Sequence, residues 1–203
     1  MILKGDAVGG TMRNRIGALG QEHLIRAILS SMTVRGIRCY KASTDSEKWK
    51  IVNKNDVGVE TDVKALYWKN SKGGKVLIFN SKIPTVNKNV DISLFSCKET
   101  EYNQKDIVCN NPNAIMFGEL KSGIDPAGAD EHWKTGNSAL NRIRESFAKE
   151  GFDKIKTSFI AAAIEQSMAK EIFEQLQKGV LTNATNLTNN NQLIEYCNWL
   201  IEL

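Results

Sequence analysis

Three charged residues stand inside or beside short apolar runs of the sequence, where a charge is costly unless it is used. Asp91 lies in the run VDISLF, and Glu119 and Lys121 flank Leu120 at the end of the run AIMFGELK. Residues two apart in an extended strand point to the same face. Glu119 and Lys121 are therefore expected to share one face, with Leu120 pointing into an apolar layer.

This combination suits metal-dependent hydrolysis of a phosphodiester bond. Carboxylates hold hard cations such as Mg²⁺, and a nearby ammonium group can stabilise developing charge or position the attacking water. If the two strands are neighbours, Asp91 and Glu119 are expected to hold the metal, with the Leu120 carbonyl as a further ligand and Lys121 as the cation. Two alternatives stay open: Glu119 and Lys121 also fit an ordinary pair on an edge strand, and Asp106 could replace Asp91.

The spacing of apolar residues predicts the frame that carries these side chains. It predicts helices over residues 16–32, 129–149, 166–178 and 193–201, and strands over 37–42, 65–69, 76–80, 90–95, 114–120 and 157–164. Residues 70–74 have the composition of a hairpin turn, and the strand–helix–strand segment 114–164 implies parallel neighbours. We therefore predict an α/β fold, with a mixed central β-sheet flanked by helices, in a single domain spanning residues 1–203.

The composition excludes several classes of protein. The chain has 203 residues, of which 41% are hydrophobic and 25% charged, and these globular values argue against a disordered or fibrous protein. Its four cysteines form no CxxC pair, which argues against a zinc site. Without an apolar run of membrane-spanning length or a signal peptide, a cytoplasmic location is expected. The net charge of +4 permits a polyanionic partner without requiring one.

The run GELKSGIDPAGADEHWKTGNSALNRIR, residues 118–144, carries a more specific signal. It resembles the catalytic region of type II restriction endonucleases of the BsoBI/AvaI type, and XhoI-like enzymes have a similar segment. The resemblance places the chain in the PD-(D/E)xK nuclease superfamily, with a restriction-endonuclease-like fold. Val90 stands where the superfamily name has proline, and Ser122 stands where glycine is expected. The chain is shorter than such enzymes and is expected to correspond to their catalytic portion.

The resemblance also implies a function and its partners. It implies Mg²⁺-dependent, sequence-specific cleavage of double-stranded DNA at a CG-containing site such as CYCGRG. Cleavage of both strands of a palindrome is most simply done by a homodimer, because protein symmetry can then match site symmetry. A cognate DNA methyltransferase, without a stable complex, would protect the cell's own DNA.

Further residues are assigned to the same site. The resemblance puts His132 in the active site, as general base or as donor to the phosphate, although a histidine at a helix start can also be structural. Asp125 could accept from cytosine N4, or form a turn ahead of Pro126. Glu22 could be an ancillary acid near the metal, or a solvated residue of an amphipathic helix. The expected DNA contacts are Asp125, Lys134, Ser122, Asn137 and Arg142, with Lys82 and Lys88 as further phosphate contacts.

Two rival functions fit the same residues. A repair or nicking nuclease of the same superfamily would keep the metal site but act on one strand or as a monomer. A catalytically inactive DNA-binding module would keep the fold without the chemistry. Intact Asp91, Glu119 and Lys121 favour an enzyme over the inactive module.

Overall fold

The computed structural model describes residues 3–43, 46–124 and 126–203, and within them eight strands form one mixed sheet with helices on both faces. Side chains are described for all of these residues except 3–10, 13, 47, 126 and 127. The strands are β1 Cys39–Ser43, β2 Ser46–Ile51, β3 Ala65–Asn70, β4 Gly73–Ile83, β5 Lys88–Ser96, β6 Ala114–Lys121, β7 Lys156–Ala161 and β8 Asn183–Asn186. The helices are α1 Leu3–Val34, α2 Gln104–Ile107, α3 Pro126–Lys149, α4 Gln166–Gln177 and α5 Asn190–Glu202.

The sheet changes from antiparallel to parallel pairing at β6. The strand order is β2-β1-β3-β4-β5-β6-β7-β8, with β6, β7 and β8 parallel and the other pairs antiparallel. The predicted α/β class, the β3–β4 hairpin and the parallel crossover are therefore confirmed. The edge strands β2 and β8 were not predicted, because both lie in polar segments that read as loops.

One face of the sheet packs against α3 and α4. An aromatic group from β6, β7 and α3 fills this layer, with Phe117 and Phe147 rings 4.8 Å apart and Trp133 and Phe159 rings 5.0 Å apart. Trp133 Nε1 donates to Glu171 Oε2 on α4 at 2.7 Å, so the two helices are tied together as well. This layer fixes the position of α3 over β6, the strand that carries Glu119.

The opposite face packs against α1 and α5. The Ile201 carbonyl near the end of α5 accepts hydrogen bonds from Trp68 Nε1 at 3.1 Å and from Asn70 Nδ2 at 2.9 Å, both on β3. Leu24, Ile25 and Ile28 of α1 are buried, and α1 begins at Leu3, well before the helix start expected at residue 16. None of the helices in the described segments has the length and apolar character needed to cross a membrane.

Gly20 brings α1 into direct contact with the segment that follows β6. A Cβ atom at Gly20 would lie 2.4 Å from Ser122 Cβ, which is closer than two non-bonded carbon atoms can approach. The glycine, which weakens the helix as an isolated element, is thus required where α1 meets Ser122. The serine at a position where the family resemblance predicts glycine lies directly against this helix.

Two substitutions in α1 separate helix propensity from this contact. Gly17→Ala should raise the free energy of unfolding by about 0.5–1 kcal/mol, because alanine favours helix and a Cβ there meets nothing within 4 Å. Gly20→Ala should lower it by about 1–3 kcal/mol, because overpacking against Ser122 outweighs the propensity gain. Equilibrium denaturation by urea measures both. A stabilised Gly20→Ala variant would contradict the close approach of α1 and Ser122.

Candidate active site

The Asp91 carboxylate takes the place of a backbone group between β5 and β6. The two strands pair from Phe95–Ala114 to Ile92–Gly118. Just past the Ile92–Gly118 pair, the Leu120 N–H donates to Asp91 Oδ2 at 2.8 Å, so a side chain rather than a main-chain carbonyl meets this amide. The structure thus places Asp91 next to the Glu119–Lys121 segment, as the sequence predicted for neighbouring strands.

Glu119 and Lys121 lie on the same face of β6. Lys121 Nζ forms an ion pair with Glu119 Oε1, and the Glu119 residue is only 9% exposed. Leu120 packs against the core on the opposite side, the layer of α1 and α5. The alternating arrangement expected from the spacing is therefore present, and β6 is an interior strand rather than an edge strand.

Burial dominates the electrostatics of the two carboxylates. It raises the pKa of Asp91 and of Glu119, and the neighbouring Asp91 charge raises the pKa of Glu119 further. The Leu120 amide and the Lys121 ammonium lower the pKa of Asp91, and Lys121 does the same for Glu119, but in both cases the raising effects are larger. The nearby ammonium and amide groups therefore do not fully offset the cost of burying the two carboxylates.

The donor set fits a hard divalent cation. Asp91 and Glu119 offer carboxylate oxygens, and the Leu120 carbonyl is the third ligand expected from sequence. Among the residues that the structure describes, no group of three or more His, Cys, Asp or Glu side chains could hold a metal ion. A site with two carboxylates and otherwise water suits Mg²⁺, which keeps several waters when it binds to proteins.

A cleft of about 960 Å³ opens between these residues and α1. Asp91, Leu120 and Lys121 lie along it, and His132 from α3 faces the same space. A Cβ at Gly123 would lie 2.4 Å from His132 Cε1, so the imidazole is held against a bare stretch of main chain. Glu22 is half-buried in the wall of the cleft. It is therefore not a fully solvated residue of α1.

A second opening, of about 510 Å³, reaches the same two carboxylates from the side of α3. It is lined by Lys82, Lys88 and Arg142 together with Asp91 and Glu119. The charge of Arg142 lowers the pKa of Glu119, which shows that the guanidinium acts on the site. All three cationic side chains are exposed and available to a phosphate.

Gly136 allows α3 to lie directly over Glu119. A Cβ at this position would come within 2.6 Å of Phe159 Cε2 and 3.4 Å of Glu119 Cγ. Because Gly136 has no side chain, the helix packs directly against the Glu119 side chain. This contact could not be predicted from the sequence, since a glycine inside a helical pattern signals only lower helix propensity.

Other residues expected at the site lie in different surroundings. Lys134 is exposed and pairs with Asp130 Oδ2 at 2.6 Å. Asn137 Oδ1 accepts from Gln175 Nε2 on α4 at 3.1 Å, a contact between helices. Asp106 is exposed on α2, whereas Asp91 contacts Leu120, so the geometry favours Asp91 as the ligand. Asp125 lies outside the described residues.

Sequence reasoning missed two residues that border the cleft, Gln21 and Asn80. Asn80 Nδ2 donates to Gln21 Oε1, which joins β4 to α1 beside Asp91. Asn80 has a positive φ of 48°, and asparagine is among the few residues that adopt this conformation readily. The asparagine was therefore a weak sign of a positive φ. It was overlooked because Asn80 lay at the end of a predicted strand.

The cost of the buried charge can be measured. Glu119→Gln should raise the free energy of unfolding of the metal-free protein at pH 8, because it removes a charge that burial makes unfavourable. The gain should shrink as the pH falls toward the ordinary glutamate pKa of 4.5, where the wild-type carboxyl also becomes neutral. Thermal and denaturant unfolding at several pH values test this. Exposed Glu131→Gln is the control, and a destabilised Glu119→Gln variant would refute the expectation.

Comparison with known proteins places this geometry in a family. The model of the family described as Restriction endonuclease BsobI matches residues 1–203. The chain is 44% identical over its full length to the type II restriction enzyme BsoBI of Geobacillus stearothermophilus, and 42% identical to the type II restriction enzyme AvaI of a Nostoc species and of Anabaena variabilis. It spans 64% of the length of each relative. The resemblance found in residues 118–144 thus extends over the whole sequence, and the chain belongs to the BsoBI family of restriction endonucleases.

Proposed function

We propose that this chain carries the nuclease site of a type II restriction endonuclease and hydrolyses double-stranded DNA with Mg²⁺. The observation that carries the proposal is the pair Asp91 and Glu119 on neighbouring strands, whose pKa values burial raises, with Lys121 beside it. Relatives of similar sequence over the whole chain are named type II restriction enzymes. Residues 1–203 then act as a single PD-(D/E)xK nuclease domain.

The residues divide the reaction among themselves. Asp91 and Glu119, with the Leu120 carbonyl, hold Mg²⁺, which when bound supplies Lewis acidity and lowers the pKa of coordinated water. Lys121 positions the attacking water or stabilises the charge that develops on the phosphate. His132 faces the cleft between these residues and α1, and it serves as general base or as donor to the phosphate. The products carry 5′-phosphate and 3′-hydroxyl ends.

The DNA backbone lies along the opening lined by Lys82, Lys88 and Arg142, and the phosphate to be cleaved lies at Asp91, which lines both openings. Three exposed cations beside two carboxylates create an attractive site for a phosphate group on an otherwise acidic centre. The wall of the other cleft includes the carboxylates of Glu22 and Glu60, of which Glu60 is paired with Arg26. The difference in charge between the two openings supports the α3 side as the phosphate side.

The assembly and the cellular setting follow from the same proposal. Cleavage of both strands of a palindromic site is most simply done by two such centres, and a homodimer supplies them with matching two-fold symmetry. The enzyme acts on cytoplasmic DNA and is paired in the cell with a methyltransferase that protects the host's own sites. Ser122, Lys134, Asn137 and Asp125 remain proposed DNA contacts.

The central test is cleavage of supercoiled plasmid and phage DNA with and without Mg²⁺. The protein should produce discrete fragments in Mg²⁺ and none in EDTA. Lys121→Ala and Glu119→Ala should each lower the cleavage rate by at least about a hundredfold while keeping the circular dichroism of the wild type, because the first removes charge stabilisation and the second a metal ligand. Exposed Lys170→Ala on α4 is the matched control.

The form of the product separates the rival functions. Linear DNA with fixed ends supports a restriction enzyme, whereas nicked circles alone would indicate a nicking or repair nuclease. DNA binding without Mg²⁺-dependent cleavage would indicate an inactive binding module. Run-off sequencing of the fragment ends then gives the recognition sequence and the cut position.

The proposed phosphate side makes a separate prediction. Arg142→Ala and Lys88→Ala should each weaken DNA binding and reduce the slope of log affinity against log salt by about one, because each removes one phosphate contact. Lys48→Ala, on the distant edge strand β2, should leave the slope unchanged. Fluorescence anisotropy with a short duplex in Ca²⁺ measures the slope. Equal slopes for all four proteins would exclude this opening as the DNA-binding side.

A further inference from the structure

The strands β4 and β5 exchange faces at one position along their length. In β4, Leu77 and Phe79 pack in the core under α1 and α5, but Ile83 packs in the core under α3 and α4. In β5, Ile92 packs under α1 and α5, whereas Val90 packs on the other side. Residues an even number of positions apart normally share a face, so both strands depart from regular alternation between these residues.

Asn80 accounts for this change. Its φ of 48° is left-handed, while the residues around it continue the strand. It stands between the pairs Phe79–Ile92 and Ser81–Val90, which puts it opposite Asp91. A single left-handed residue turns the strand about its axis, and the paired strand follows it. The change of face therefore falls at the residue that supplies the metal-binding carboxylate.

The bend decides which group meets the Leu120 amide. After the change of face, β5 stays paired with β4 as far as Ile83–Lys88. Its pairing with β6 extends in this direction to Ile92–Gly118, within the described residues of both strands. The resulting gap between β5 and β6 is occupied by the Asp91 carboxylate, which accepts from Leu120 N–H at 2.8 Å. A straight β5 would present main-chain groups there instead.

Two side chains from other parts of the chain, Lys64 and Gln21, form hydrogen bonds with the bend at Asn80. Lys64 Nζ donates to the carbonyls of Phe79 at 2.9 Å and Asn80 at 3.0 Å, so one ammonium gathers both carbonyls of the bend. The Phe79 N–H donates in turn to the Lys64 carbonyl at 3.0 Å. On the other side, Asn80 Nδ2 donates to Gln21 on α1.

We propose that Asn80 is a positioning residue for Asp91: its left-handed conformation, held by Lys64 and Gln21, bends the β4–β5 pair away from β6 and opens the place in which the Asp91 carboxylate meets Leu120. The inference rests on the proposed nuclease function for its consequence, metal binding, but its structural part stands without metal. Glycine would satisfy the same conformational need, whereas a β-branched residue would oppose it.

The test uses Asn80→Gly, Asn80→Ala and Asn80→Val in the full chain. The first readout is hydrogen exchange of the Leu120 amide in metal-free protein, with the amides of Leu66 and Leu94 as references in the same sheet. Asn80→Gly should keep Leu120 protection within about threefold of wild type, and Asn80→Val should lower it by about tenfold or more, because left-handed backbone is unfavourable for a branched side chain. The second readout is the Mg²⁺ concentration at half-maximal calorimetric binding, which should rise in the same order.

The possible results distinguish failure of the positioning role from failure of the proposed function. Unchanged Leu120 protection in Asn80→Val, or equal loss in Asn80→Gly and Asn80→Val, overturns the positioning role. If Asn80→Val does not fold, Asn80→Ala decides: protection below that of Asn80→Gly supports the role, and protection equal to it refutes it. If wild type binds no Mg²⁺ while Leu120 protection follows the expected order, the proposed function fails and the structural inference stands.

Discussion

Two carboxylates held together with little access to water form the constraint on which this structure depends. An isolated buried carboxylate is expensive, and a second one beside it adds repulsion. Lys121 and the Leu120 amide offset part of that cost, yet the pKa values of Asp91 and Glu119 both remain raised. The fold therefore has to supply the free energy that holds the pair in place, and its two hydrophobic layers do so from opposite faces of one sheet.

Three glycines allow close contacts between the elements that surround this pair. Gly136 lets α3 cover Glu119, Gly123 lets His132 lie against the main chain, and Gly20 lets α1 press on Ser122. Each contact removes water or limits movement around the carboxylates. Electrostatic stabilisation is most effective when the groups are fixed before the reaction, since no reorganisation is then required. These glycines lower the intrinsic stability of the helix or loop that contains them, but they allow the residues of the site to pack closely.

Much of the frame could be predicted from the sequence because it depends on apolar spacing. The central position of β6, the shared face of Glu119 and Lys121, and the crossover through α3 all follow from alternation and chain connectivity. The strands β2 and β8 could not be found in this way, since their residues are polar and their place is set by pairing with neighbours. The bend at Asn80 likewise depends on β4, β5, α1 and Lys64 together, and the asparagine alone signals only tolerance of positive φ. The resemblance in residues 118–144 predicted the family, which could not be predicted from the spacing of apolar residues.

The change from antiparallel to parallel pairing at β6 also has a consequence for the order of folding. Strands β3, β4 and β5 are joined by short turns, and contacts between such near neighbours form at small entropic cost. The β6–β7 pair must instead wait until α3, a helix of 24 residues, has closed the connection. Asp91 belongs to the early meander and Glu119 to the strand that joins the later half. A partly folded chain is therefore expected to lack the cover that α3 places over Glu119, so that this carboxylate is buried only when the last long-range contacts are made.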